Sequence, residues 1–182
     1  MKKTLLLAGM AMTIILSSCT QGSNTNTQEN RETTVSHETT KTSTPVEFRD
    51  FGPEPFVFDI EEYTTQNETF RTAVWTGKSM QMTVMTIQPG EDIGLELHTT
   101  IDQFIRVEEG SGLLKMGDTE DNLNFERRME EDFAAFIPAG KWHNLVNDTD
   151  KPLKLYSIYA PVEHPHGTVH QTREEGAEPH VH

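Results

Sequence analysis

Cysteine is almost missing from this chain: among 182 residues there is one, Cys19. No intramolecular disulfide can form, so a folded domain must be held together by burial and hydrogen bonding. Positive charge is scarce as well, with 15 Lys and Arg against 29 Asp and Glu and a formal charge of -14. A surface of that sign repels nucleic acid and anionic lipid, which excludes proteins that work through phosphate contacts and makes solubility its plainest use. Long apolar runs are missing too. The longest, Leu5 to Leu16, is about a dozen residues, short of the roughly 20 that a membrane-spanning helix needs. Helical periodicity is rare, which argues against a bundle.

What is there begins with an export pattern. Lys2 and Lys3 precede the apolar run, and "LSSC" ends it at Cys19. This resembles a bacterial lipoprotein signal peptide with its lipobox, spanning residues 1–18. Cleavage before Cys19 would free its amine and thiol for acylation, and each buried methylene of the lipid holds the protein to a membrane by about 0.8 kcal/mol. An uncleaved short anchor with an incidental cysteine is the other reading. The expected location is the bacterial cell envelope, outside the cytoplasm. Residues 19–45, "CTQGSNTNTQENRETTVSHETTKTSTP", hold too little apolar surface to offset the cost of ordering them, and read as a disordered, flexible tether in which His37 is inert. Asn67-Glu68-Thr69 and Asn147-Asp148-Thr149 match a glycosylation sequon, a pattern short enough to arise by chance.

From Phe48 onward short apolar stretches alternate with turn residues, the pattern of an all-β domain. "MQMTVMTI" (80–87) is closed by Pro89-Gly90, "QFIRV" (103–107) by "EEGSG", and "GLLKM" (112–116) by "GDTEDN". "DFAAFI" (132–137) stops at Pro138, and "LKLYSIYA" (153–160) alternates until Pro161. "FERRMEED" (125–132) suits either a helix or a charged hairpin limb. Trp75, Met80, Met82 and Met85 are expected in the core or on a sheet face.

Two stretches carry chemistry. In "GLELHTTIDQF" (94–104), Glu96 and His98 are two residues apart and face the same way on a strand, while Gln103, Ile105 and Val107 share a face of the next. In "FIPAGKWHNLVN" (136–147), Pro138 ends a strand, Gly140 permits a tight turn, and His143, Leu145 and Asn147 lie on one face. If these faces line one interior, a carboxylate and two imidazoles converge in an apolar cavity. That burial costs several kcal/mol unless something such as a divalent cation neutralises it.

Together the stretches resemble the paired signature motifs of the cupin superfamily, in its small single-domain (type-2) bacterial form. The first is Pro89-Gly90 followed by Glu96, His98, Gln103 and Gly110; the second is Pro138, Gly140, His143 and Asn147. The resemblance implies one antiparallel jelly-roll β-barrel over residues 46–165, followed by a C-terminal tail, 166–182. It also implies one divalent transition metal, iron, manganese, nickel or zinc, held by Glu96, His98, Gln103 and His143. Most metal-binding cupins carry His where this chain has Glu96 and Glu where it has Gln103. The carboxylate has changed places and the ligand set keeps two imidazoles and one carboxylate.

His164, His166 and His170 have a spacing open to a second metal, although the prolines and glycine beside them favour packing or hydrogen-bonding roles. The functional readings are a metal-dependent enzyme of oxygenase or isomerase type acting on a small molecule, a ligand-binding or sensory module, and a structural lipoprotein with a relict pocket. A phosphosugar isomerase is disfavoured because the motifs offer no inward Lys or Arg. A general base would have to be Glu96 or a tail histidine, since the motifs place no other carboxylate inside. By analogy with other small cupins, a homodimer is a further possibility.

Overall fold

The computed structural model describes residues 45–177. The signal peptide, Cys19, His37 and the terminal His180 and His182 lie outside the described residues. Helix α1 (Ile60–Gln66) comes first, capped by Asp59, whose carboxylate accepts from the Glu62 amide at 3.1 Å. Ten strands follow: β1 (Arg71–Thr76), β2 (Gln81–Ile87), β3 (Glu96–Leu97), β4 (Asp102–Glu109), β5 (Ser111–Gly117), β6 (Phe125–Glu130), β7 (Ala134–Ile137), β8 (Trp142–Val146), β9 (Leu153–Ala160) and β10 (Val169–His170). A single-turn helix, α2 (Arg173–Gly176), ends the described chain.

The strands form two antiparallel sheets, one in the order β10-β1-β2-β9-β4-β7 and one in the order β3-β8-β5-β6. The charged stretch from Phe125 becomes a strand because its backbone pairs with β5 from Ser111↔Glu130 to Met116↔Phe125. Strand β1 carries little alternation in sequence because both of its faces are covered: Arg71, Thr72, Ala73 and Val74 are all buried.

The same double burial explains β2, in which every residue is buried. Its even positions, Met82 and Val84, pack outward with Tyr63, Phe56 and Phe58 from the preceding segment; its odd positions, Met85 and Ile87, face the interior. Met80 falls in the turn before β2 and is exposed. Phe104 lies on the outer side of β4 with Ile158, while Ile105 and Val107 point into the interior core with Leu145, Leu153 and Leu155.

The interior is graded. Read along β9, its inward residues run Leu153, Leu155, Ser157, Tyr159. Level with them on β2 are Ile87, Met85, Thr83 and Gln81, and on β4 Val107, Ile105 and Gln103. In β8, Leu145 precedes the site end and His143 occupies it, both fully buried. Each strand is therefore apolar at one end of the interior and polar at the other. The apolar end drives folding by burial, and the polar end requires partners for every buried donor and acceptor.

Candidate metal centre

The two motifs are the two sides of one ladder. Gly90 donates its amide to the Asn147 carbonyl at 2.9 Å, Ile93 to Leu145 at 3.1 Å, and Gly140 to His98 at 2.8 Å. Between these bonds Glu96 lies directly opposite His143. Asn147 locks one end: its Nδ2 donates to the carbonyls of Ile87 and Lys151, and its Oδ1 accepts from the Thr149 amide and hydroxyl. Both sequon asparagines, Asn67 and Asn147, are buried and occupied by such bonds.

Register decides which way the carboxylate points. Asp92 pairs with Val146, whereas Glu96 pairs with His143, so the ladder shifts by one residue between them. Gly94, with φ 102°, sits in that shift. Ile93 is in the core, and unbroken alternation would place Leu95 and Leu97 inward after it. The irregularity reverses the parity: Leu95 and Leu97 become exposed, and Glu96 and His98 turn inward. A residue free to adopt positive φ is needed at this step.

Glu96, His98 and His143 converge, with one ligand atom from each within 4.8 Å of the others. His98 Nε2 lies 3.5 Å and His143 Nε2 3.7 Å from Glu96 Oε2. Atoms each about 2.0–2.2 Å from one divalent ion are separated by roughly 3.0–3.6 Å, so small side-chain adjustments would satisfy such an ion. Both Nε2 atoms are buried and make no hydrogen bond. His143 Nδ1 lies 3.0 Å from the Lys141 carbonyl, which can only accept; the proton is therefore on Nδ1, and Nε2 presents its lone pair. The donor set, its orphaned nitrogens and its spacing fit a divalent transition metal.

Gln103 occupies the same end of the interior. Its Nε2 donates to Ser157 Oγ at 3.2 Å, and its buried Oε1 has no hydrogen-bond partner. The tail histidines part company. The His164 ring packs against Tyr159 at 5.2 Å and stands 6.3 Å from the His170 ring, whereas His166 Nε2 turns to the Gly52 carbonyl at 3.0 Å.

Two residues at the site lie outside both motifs and were missed in the sequence. Arg71 is an inward guanidinium, 1% exposed, whose Nη2 donates to Glu96 Oε1 at 3.3 Å. The motifs themselves hold no inward Lys or Arg; this one comes from β1, outside them. Glu163 is a second carboxylate in the cavity, with Oε1 3.4 Å from His98 Nδ1, so Glu96 and the tail histidines are not the sole candidates for a base. A charge inside a short apolar stretch was the available signal for Arg71. For Glu163 there was none, since its position depends on how the chain turns after β9.

These neighbours set the charge states. Burial alone raises the Glu96 carboxyl, but the His143 and His98 imidazoles beside it and the charge of Arg71 hold it well below the usual carboxylate range. Burial lowers the His98 imidazole, yet Glu163 and Glu96 on either side push it up to about 9. Burial pushes the Tyr159 phenol up to about 12, against the pull of Arg71. A cavity of about 740 Å³ opens on this centre, lined by Glu96, His98, Glu163 and His164 among apolar groups, with Arg173 and Gly176 also in its wall.

An antiparallel double-sheet barrel with paired motifs facing across one ladder, and a carboxylate-imidazole cluster at its polar end, defines a small-barrel protein with a candidate metal centre. The chain belongs to the cupin family: residues 83–159 match the family described as Cupin domain. The uncharacterized protein YrkC of Bacillus subtilis (strain 168) is 57% identical over 125 residues, spanning 69% of this chain and 67% of that one. The uncharacterized protein L612 of Acanthamoeba polyphaga mimivirus is 35% identical over 115 residues, 63% of this chain and 70% of its own. The crystal structure of BH2720 from Bacillus halodurans has 57% identity and a TM-score of 0.69, covering 70% of this chain and 96% of that chain.

Proposed function

We propose that this protein is a divalent-metal-binding cupin lipoprotein that acts as a metal-dependent enzyme of the oxygenase or isomerase type on a small molecule. The observation that carries the metal is the convergence of Glu96, His98 and His143 with two buried, unpartnered imidazole nitrogens. Glu96 Oε2 and the two Nε2 atoms would hold the ion, with Gln103 Oε1 a candidate fourth ligand. A bound ion supplies a Lewis acid at the floor of the cavity. Around it, Ile93 and Val162 give the cavity apolar walls, Arg71 compensates the Glu96 charge, and Glu163 and His98 share a proton at Nδ1.

The test is elemental analysis of protein purified from its own host, followed by oxygen uptake and turnover assays over phenols, thiols and sugars. About one equivalent of iron, manganese, nickel or zinc with turnover supports the enzyme. A ligand-induced rise in melting temperature without turnover converts the reading to a binding or sensory module in the same pocket. Metal-free protein from the native host overturns the metal site.

The sequence around Cys19 supports attachment to the outside of a bacterial membrane through lipid, with residues 19–45 as the tether. Detergent phase partition checks this: the wild-type protein is expected in the detergent phase and Cys19→Ser in the aqueous phase. Aqueous partition of both would remove the anchor.

A further inference from the structure

The three clustered ligands differ in how they are held. Glu96 and His143 lie on β3 and β8, opposite each other. His98 comes one residue after β3 ends, so no strand partner fixes its ring. Its backbone carbonyl accepts from Gly140, but its side chain is oriented by what surrounds it. On one side the Tyr159 ring meets it edge-on at 5.8 Å. On the other stands Glu163, whose carboxylate is 6% exposed and lies 3.4 Å from Nδ1.

Glu163 belongs to neither motif. It lies after β9, in a segment pinned to the barrel by Gln81, which is fully buried. Gln81 Nε2 donates to the His164 carbonyl at 2.9 Å, and the His164 amide donates to Gln81 Oε1 at 2.8 Å. Such a clamp on both backbone groups of the adjacent residue limits where the Glu163 carboxylate can go. An ionised carboxylate only accepts, so at this distance it keeps a proton on His98 Nδ1, and Nε2 is then the nitrogen that would give up its proton and offer a lone pair to a metal ion.

We propose that Glu163 is the positioning residue of the metal centre: it fixes the ring and tautomer of His98 and so makes the segment after β9 a functional part of a site whose ligands all come from the two motifs. The inference rests on the metal reading above and assigns to this chain a residue that the motifs do not specify. Removing an outer partner of a metal-bound histidine costs about 10–100-fold in affinity.

The experiment is calorimetric titration of cobalt(II) and zinc into metal-free wild type, Glu163→Ala and Glu163→Gln, with the visible spectrum of the cobalt forms and the melting temperature of each metal-free form. Glu163→Ala is expected to bind about 10–100-fold more weakly with an altered cobalt spectrum, and Glu163→Gln, which retains a neutral acceptor, about 3–10-fold more weakly. Melting temperatures of the metal-free variants close to wild type would assign the loss to positioning. Affinities and spectra of both variants indistinguishable from wild type would overturn the role of Glu163 while leaving the metal site standing. If Glu163→Ala does not fold, wild-type affinity in Glu163→Gln is sufficient to overturn it. Absence of binding to wild type would instead remove the metal reading, and this inference with it.

Discussion

Glu96 and His143 face each other across the β3–β8 pair, with Glu96 Oε2 3.7 Å from His143 Nε2. They come from stretches more than forty residues apart, and antiparallel pairing brings them level. Each also has an outer contact pointing away from the shared space: Arg71 on Glu96 Oε1 and the Lys141 carbonyl on His143 Nδ1. The inner atoms are thereby aimed at one point before any ligand arrives.

Substituting either ligand is expected to abolish tight metal binding. Wild-type protein at a hundredfold excess of metal over its Kd gains about 2.7 kcal/mol, on the order of 10 °C in melting temperature for a domain of this size. Glu96→Gln and His143→Ala should show no such rise, and elemental analysis should find them metal-poor. Full occupancy in both would contradict the assignment.

Gly94 should tolerate no side chain without cost. Its φ of 102° lies where L-residues are strained, and Gly94→Ala is expected to lose about 1–3 kcal/mol by urea unfolding. The more telling measurement is metal affinity. Relaxation of the strain toward regular alternation would rotate Glu96 and His98 away from the interior, so affinity should fall even under conditions where the variant is fully folded.

Arg71 offers a test of charge compensation. Removing the guanidinium strips Glu96 Oε1 of its buried partner and leaves only the His98 charge beside it, so Arg71→Ala in the metal-free protein should lose about 3 kcal/mol. A metal ion compensates the same carboxylate, and the melting temperature of Arg71→Ala should therefore rise more on metal addition than that of wild type. Equal increments would show that the two positive charges act independently.

Asp50 supplies a pH dependence away from the metal centre. Burial raises its carboxyl, but the Thr76 hydroxyl and the amides of Gly167 and Gly52 outweigh this and hold it below its ordinary value. A carboxyl depressed in the folded state contributes stability that is complete above its unfolded value, about 3.9, and disappears as pH falls through the folded value. Asp50→Asn is expected to lose about 1–3 kcal/mol at neutral pH and to show a shallower loss of stability below pH ~4, measured by urea unfolding across that range.

The legible part of the fold lay where one face of a strand is buried and the other is not. Strand β4 is the clearest case, since Gln103, Ile105 and Val107 point inward while Phe104 and Arg106 point outward. Strand β1 was illegible because the segment around Phe56 and Tyr63 covers its outer face and erases the alternation. Arg71 was hidden on the opposite, inner face, where it reads as surface charge until the sheets close around it.

By itself the sequence determined the architecture and the residues with chemistry to offer. Alternating strands punctuated by Pro and Gly specify an all-β domain, a sandwich or a small barrel; the antiparallel barrel is what the resemblance of the paired motifs implies, and the spacing of Glu96 and His98 follows from the two-residue repeat of a strand. Tertiary structure decided the rest. Only folding turns Leu95 and Leu97 outward through the register shift at Gly94, sets Glu96 level with His143, and carries Arg71 and Glu163 to the cluster from segments far away in sequence. Periodicity reports which face of a strand is buried; it holds no information about which distant charge arrives to compensate it.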